Sequence, residues 1–423
     1  ISGAKNVALK VIIAALLLDN PVTFKNIPRI ADVFELLHLI ESLGGKAQFI
    51  EEHTVVVYGR GINKNKVDLL HASKIRVSFM FFAPLLYKFS HCYVPNPGGC
   101  RLGARPIDRT IEGMRKLGID VDYDSETGYY KAQMKQRPSG YFSFSKPTHT
   151  GTELLIMLAV LGKAKTTLDN VALEPEIDEL IKFLNLSGAK VQKNGKKITI
   201  EPVKNLLLYD PFAIISDRNE AVTFATLAVA TKGEVTVSPI SGKNIQTFIQ
   251  KIKGIGIEVN IINQTMIKFR YINTIKSSHI QTSPHPGFMT DWQPNWAVLM
   301  TQASGDSIIE ERVFENRFSY VEELRRLGAE IDFAKLQVIN PVEYFFFNFE
   351  PQKKYNQAIK IHGPQELHGG VLDIADLRAG ATLAIAALVA DGESVVNGAS
   401  ILERGYENFS EKVQSLGGDI KKL

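Results

Sequence analysis

Cysteine is nearly absent from this chain: Cys92 and Cys100 are the two among 423 residues. Two thiols cannot build a disulfide framework, so a reducing, cytoplasmic setting is expected. Long hydrophobic runs are missing as well. The longest, VALKVIIAALLL, is interrupted by Lys10 and falls short of the roughly 20 apolar residues that a membrane-crossing helix needs. There is no block of like charge either. The net charge of +4 comes from scattered Lys and Arg, too weak a field to argue for nucleic acid and better suited to small anions. No metal and no cofactor is expected. The first residue is Ile1, with no secretory pattern behind it, which reads as a trimmed N-terminus. What is present, 45% hydrophobic and 22% charged residues, fits a folded α/β protein of two or more domains.

Repetition organises the chain. Six amphipathic segments end in a glycine and then run into an alternating, strand-like pattern: SLGGKAQFI, KLGIDVDY, LSGAKVQK, GIGIEVNI, RLGAEIDF and SLGGDIKKL. The glycines are Gly44, Gly118, Gly188, Gly256, Gly328 and Gly417, spaced by 74, 70, 68, 72 and 89 residues. Glycine enters the left-handed region without a Cβ penalty, so each reads as a helix stop. Each repeat also carries a second segment, apolar on nearly every face: NVALKVIIAALLL, RVSFMFFAPLLY, GTELLIMLAVLG, EAVTFATLAVAT, NWAVLMTQA and LRAGATLAIAALVA. A helix apolar all round must be buried. The repeat is therefore buried helix, strand, surface helix, strand, strand. Three repeats around three buried helices make one domain of ordinary size, and six repeats make two. The boundaries expected are 5–215 for the first and 216–423, with 1–4, for the second.

Polar residues cluster where the buried helices begin: Lys5 and Asn6 in SGAKN, Arg76 in SKIR, Asp217 and Arg218 in SDRNE, Asp291 in TDWQ, and Asp376 and Arg378 in ADLR. Helix N-termini favour anions, so these residues could converge on a cleft between domains. Helix capping by the aspartates is the alternative. Separately, NPGGCRLGARPIDR places Cys100 among glycines and arginines.

Taken in order, ISGAKN, PGGCRLGARPID, EPEI, SDRNEA, SPHPGFMTDWQP, VFENRF, DLRAG and ERGYE closely resemble the enolpyruvyl transferases, over essentially the whole chain. The resemblance implies two inside-out α/β barrel domains, each of three repeated units around buried helices. It also implies transfer of the enolpyruvyl group of phosphoenolpyruvate to the 3-hydroxyl of UDP-N-acetylglucosamine, with release of phosphate. Carried over residue by residue, Lys5 and Arg105 would contact the phosphate and Arg404 the phosphoenolpyruvate carboxylate. Asn6 would orient the reacting centre, and Arg76 would serve the anionic substrates. Asp291 would accept the hydroxyl proton. Cys100 would protonate the methylene carbon, its thiol made more acidic by the surrounding cations. Such a thiolate would be the target of a phosphonate epoxide such as fosfomycin.

Pro106, Ile107, Asp108 and Arg109 would line the uridine and diphosphate pocket, and Val313 and Arg317 would face substrate from the second domain. Asp376 and Arg378 would support the intermediate, and Asp217 would help join the domains; for Arg317 and Arg378 a structural ion pair is the competing reading. Cys92, inside HCYV, reads as a small buried hydrophobe. The chain departs from the family pattern at Lys10, Arg109, Thr110, His149, Thr150, Ser216 and Val222, which bears on the nucleotide side. Two alternatives follow: a non-catalytic descendant that binds a nucleotide sugar, and a transferase with another acceptor. Against a shikimate 3-phosphate acceptor, the GSKS and GNAGTA signatures are absent.

Overall fold

The computed structural model describes residues 1–98 and 106–423. The polypeptide forms two compact units, one of residues 2–98 and 106–215 and the other of Ile1 with Ser216–Leu423. Of residues 1–4, expected with the second unit, only Ile1 is there. Its ammonium group donates to Ser238 O at 2.6 Å, whereas the Ala4 N–H donates to Ile215 O at 2.8 Å within the first unit.

The six glycine stops adopt φ between 90° and 100°: 96° at Gly44, 94° at Gly118, 99° at Gly188, 100° at Gly256, 91° at Gly328 and 90° at Gly417. The surface helices end just before them, at Ser42, Lys116, Leu186, Gly254, Arg326 and Ser415. The left-handed residue turns the chain back along the helix, where the following strand packs.

The all-apolar segments are helical and buried. Lys5–Ala14 exposes little besides Asn6, and every residue of Gln293–Thr301 is buried. In the first unit they are joined by His149–Ala159, and in the second by Arg218–Ala230 and Leu377–Val389. The second segment departs from a single α-helix: Arg76–Phe81 is 3₁₀ and the α-helix runs only over Phe82–Phe89. Pro84 explains the break, because it lacks an N–H and its ring excludes a normal helical turn N-terminal to it.

Sheets cover these helices. Thr54–Tyr58 pairs antiparallel with both Val22–Lys25 and Lys46–Glu51, so the second arm of each hairpin lies inside and the first arm at the edge. A strand ahead of the buried helix adds a parallel partner that the sequence pattern did not reveal. Gly140–Ser143 pairs with Thr166–Asp169, and His279–Gln281 with Ser307–Glu310. For the first repeat that partner is Phe212–Ala213, from the far end of the same unit, which forms the other edge of that sheet.

The sixth repeat is different. SLGGDIKKL leads into no strand, and its sheet contains only Val371–Asp373 and Val395–Asn397. Elsewhere the edge arm is held by an inner arm; among the described residues none pairs after Gly417.

The spacing of 89 has its cause in residues 334–357, inserted between Ile331–Phe333 and Ala358–Ile361. The insertion carries its own aromatic core. Phe345 lies 4.9 Å from Phe347 and 5.6 Å from Phe349, ring centre to ring centre, and Phe347 lies 5.2 Å from Tyr355. Arg312 anchors it to the sheet, its guanidinium 4.2 Å from the Tyr344 ring centre and donating to Tyr344 O at 3.0 Å.

Among the described residues no helix is long and apolar enough to cross a membrane.

Candidate active site

The two units present separate clusters of the expected residues. In the first, Lys5 opens its buried helix and its Nζ lies 2.7 Å from Asp32 Oδ2, both side chains nearly inaccessible. Asn6 beside it is half-buried. Arg76 begins the 3₁₀ turn, its guanidinium 6.0 Å from the Phe79 ring centre.

Pro106 is exposed, Ile107 is buried, and Asp108 is exposed at the first turn of the helix Asp108–Lys116. Arg109 is half-buried, and burial lowers its pKa below the ordinary arginine value despite Asp108. Burial, and then Arg109 itself, likewise lowers the pKa of Lys146. A groove of about 700 Å³ along this helix is lined by Asp108, Ile111, Glu112, Arg115, Tyr123 and Tyr130, among others. Of the expected nucleotide residues it includes Asp108 alone.

Cys100 and Arg105 lie outside the described residues. The other cysteine, Cys92, is buried in the strand His91–Pro95, and burial pushes its thiol pKa up, as suits an inert core residue.

Two departures from the family pattern meet in the first unit's core. Lys10 Nζ lies 3.4 Å from Glu153 Oε2, and His149 Nε2 lies 3.3 Å from Glu153 Oε1, with the Glu153 side chain wholly inaccessible. Burial opposes a charge on His149, but Glu153, aided by Glu174, outweighs burial and Lys10 and raises its pKa above the ordinary imidazole value. A raised folded-state pKa gives stability that is complete below the unfolded value and is lost as pH rises through the folded one. Wild type is therefore expected to exceed His149→Gln in urea midpoint near pH 5.5, and the gap is expected to shrink by pH 8.5. A gap independent of pH would refute this coupling.

In the second unit, Asp217 and Asp376 are helix caps. Asp217 Oδ1 accepts from the Asn219 and Glu220 N–H groups at 2.7 and 3.3 Å, and Asp376 Oδ1 from those of Arg378 and Ala379 at 2.9 and 3.1 Å. The capping alternative therefore accounts for both carboxylates. Asp291 is not a cap. Arg317 Nη2 lies 2.8 Å from its Oδ1, and Arg378 Nε 3.4 Å from its Oδ2. The Asp291 side chain keeps 22% exposure between guanidiniums that keep 2% and 7%, so an accessible carboxylate is gripped by two buried cations.

Burial works against the charge of Arg317, but Asp291, Asp376 and Glu311 more than offset it and raise its pKa. For Arg378 the offset comes from Tyr406, Asp291 and Asp217. Arg317 Nε and Arg378 Nη1 are buried without a hydrogen-bond partner, so each guanidinium retains donor capacity.

Arg218, which adjoins the Asp217 cap, faces His285 Nδ1 at 3.2 Å. Val313 donates its backbone N–H to Glu311 Oε1 at 2.7 Å. Arg404 is half-buried in the turn between Ala399–Leu402 and Phe409–Ser415.

Sequence reasoning missed the polar core beneath this cluster. Asn295 Nδ2 donates to Thr223 Oγ1 at 3.0 Å, and Thr382 Oγ1 donates to Asn295 Oδ1 at 2.7 Å, joining the second unit's three buried helices. Single polar residues in apolar helices were the only available signal. Among the described residues, no group of three His, Cys, Asp or Glu side chains could hold a metal ion.

Comparison with known proteins agrees with this architecture. The family model for EPSP synthase (3-phosphoshikimate 1-carboxyvinyltransferase) matches residues 1–413. A UDP-N-acetylglucosamine 1-carboxyvinyltransferase of Wolbachia pipientis is 36% identical over 428 residues, covering 99% of this chain and 95% of that protein. The protein of the same name from Desulforapulum autotrophicum is 37% identical, covering 100% of this chain and 96% of that protein. Among solved structures, the enolpyruvyl transferase NikO from Streptomyces tendae superposes with a TM-score of 0.84 at 19% identity, over 99% of this chain and 94% of that one. EPSP synthase from Acinetobacter baumannii does so with a TM-score of 0.71 at 14% identity, over 98% and 94%. At these identities the two structures establish a shared fold: two inside-out α/β domains.

Proposed function

We propose that this chain, which belongs to the EPSP synthase family, transfers the enolpyruvyl group of phosphoenolpyruvate to the 3-hydroxyl of UDP-N-acetylglucosamine. The observation that carries this reading is the full-length relationship to carboxyvinyltransferases of that acceptor. The reaction would open the synthesis of peptidoglycan precursors in the cytoplasm.

The chemistry is addition followed by elimination. The sugar oxygen attacks C2 of phosphoenolpyruvate, the hydroxyl proton leaves to a base, and the methylene carbon gains a proton to become methyl. Elimination then expels phosphate and removes a methyl proton, restoring the double bond. Asp291 suits the base: it is an accessible carboxylate whose two oxygens are held by Arg317 and Arg378, and proton transfer needs such fixed geometry. Lys5 and Arg105 would bind phosphate, and Arg404 the phosphoenolpyruvate carboxylate, where a planar guanidinium can bind bidentately. Asn6 and Arg76 would orient the anionic substrates, and Pro106, Ile107, Asp108 and Arg109 would take the nucleotide. Val313 would face the sugar nucleotide, and Asp217 and Asp376 would serve by fixing the helix starts that carry Arg218 and Arg378.

Cys100 would be the acid. Cys100→Ser is expected to lose roughly 100-fold in rate, the scale of removing a general acid, whereas Cys100→Asp should retain much more. Intact mass after fosfomycin treatment should show one adduct on wild type and none on Cys100→Asp. An adduct mapping to Cys92, or normal turnover by Cys100→Ser, would overturn the assignment. The reaction itself is tested by phosphate release from phosphoenolpyruvate with UDP-N-acetylglucosamine, with shikimate 3-phosphate, or with no acceptor. Release should require the first acceptor, and equal release with the second would refute the acceptor proposed.

A further inference from the structure

Behind Asp291 lies a buried relay whose inner members, Thr290 and Glu311, are not among the expected site residues. Arg317 Nη1 donates to Thr290 Oγ1 at 2.7 Å, and Thr290 Oγ1 donates to Glu311 Oε2 at 2.7 Å. The other oxygen of Glu311 accepts from Thr282 Oγ1 at 3.0 Å and from the Val313 and Phe314 N–H groups at 2.7 and 3.0 Å. Glu311 has no exposed surface.

The direction of each hydrogen bond follows from the groups themselves. A guanidinium nitrogen can only donate, so the Thr290 oxygen accepts from Arg317 and its own hydrogen is committed to Glu311. A carboxylate at Glu311 accepts that hydrogen on one oxygen and three further donors on the other, so every contact to it is a donor. Burial raises the Glu311 pKa on balance, against Arg317 and the hydrogen-bond donors on both oxygens; the donors themselves fit a carboxylate.

The backbone of Arg317 is fixed independently. Its carbonyl accepts from Gln293 Nε2 at 2.8 Å, and Gln293 Oε1 accepts from the Tyr320 hydroxyl at 2.6 Å. With Nε lacking a hydrogen-bond partner and the Phe314 ring centre 5.3 Å from the guanidinium carbon, Thr290 is the hydrogen bond from the interior that turns the guanidinium, and hence Nη2, toward Asp291.

We propose that Glu311, acting through Thr290 and Arg317, is a positioning residue for Asp291. It sets the orientation of the carboxylate that accepts the acceptor's hydroxyl proton. The inference rests on the reading of Asp291 as that base. Besides Asp291, the titratable groups bearing on the two arginines are Asp376 and Glu311 at Arg317, and Tyr406 and Asp217 at Arg378.

Thr290→Val keeps the side-chain shape and removes the hydroxyl. It is expected to lower kcat by about tenfold or more while the KM for UDP-N-acetylglucosamine stays within about twofold, the signature of a contact that acts in the transition state. The acid limb of its kcat–pH profile should move to higher pH, because a guanidinium turned away no longer favours the Asp291 carboxylate. Thr290→Ser should restore both. Glu311→Asp, which withdraws the carboxylate by one methylene, should repeat the loss in kcat, and thermal melting shows whether each variant is folded.

Wild-type kcat and an unmoved acid limb in folded Thr290→Val, or equal losses in the Val and Ser variants, would overturn the inference. Should Thr290→Val not fold, wild-type kcat in Glu311→Asp would do so. The transferase reading fails separately, if wild type itself releases no phosphate with this acceptor; the positioning role then falls with it. A wild type that turns over beside an unaffected Thr290→Val removes the positioning role alone.

Discussion

Asp291→Asn is expected to slow turnover by about 10³-fold, within the range for loss of a general base. The substitution keeps the shape of the side chain and removes its capacity to take a proton. Its cost in binding UDP-N-acetylglucosamine should be smaller, because the nucleotide contacts assigned to Pro106, Ile107, Asp108 and Arg109 are untouched. Both arginines would lose their carboxylate partner, each now 2.8 or 3.4 Å away, so folding has to be checked alongside. Steady-state kinetics, calorimetric titration with UDP-N-acetylglucosamine and a melting curve make the test. Turnover within about tenfold of wild type, in a variant that binds normally, would remove Asp291 from the role of base.

The second large effect concerns stability. Glu153→Leu strands Lys10, whose side chain is 3% exposed and lies 3.4 Å from the carboxylate it would lose. Removing one partner of a buried pair typically costs about 3–5 kcal/mol, because the remaining charge is left uncompensated. Replacing both with apolar residues of similar size is often neutral or stabilising. Lys10→Met combined with Glu153→Leu should therefore recover most of the urea midpoint lost by Glu153→Leu alone. A double variant that is no better than the single one would show that the pair contributes more than mutual compensation.

The residues in these two predictions differ in how legible they were. Asp291 stood out in SPHPGFMTDWQP, and Lys10 and His149 stood out as departures from the family pattern. That Lys10 and His149 meet at Glu153 was not legible, because they occupy different helices and nothing local links them. Glu311 sat unnoticed next to VFENRF, since a lone carboxylate on a strand end carries no signal until its hydrogen bonds are seen. The leading strands were missed for a related reason. Phe212–Ala213 is two residues long, too short to show periodicity, and it becomes a strand only by pairing with Val22–Lys25.

By itself the sequence determined the sixfold repeat, the distinction between buried and surface helices, the positions of the helix stops and the family. Each of these rests on chemistry within a few residues: the freedom of glycine at positive φ, the spacing of apolar side chains on a helix, or a contiguous motif. Tertiary structure decided the rest. Arg378 reaches Asp291 across 87 residues of sequence, and Lys10 on one buried helix meets Glu153 on another. Such contacts depend on the path of the whole chain, and in a buried, weakly screening interior that path decides which charges oppose one another.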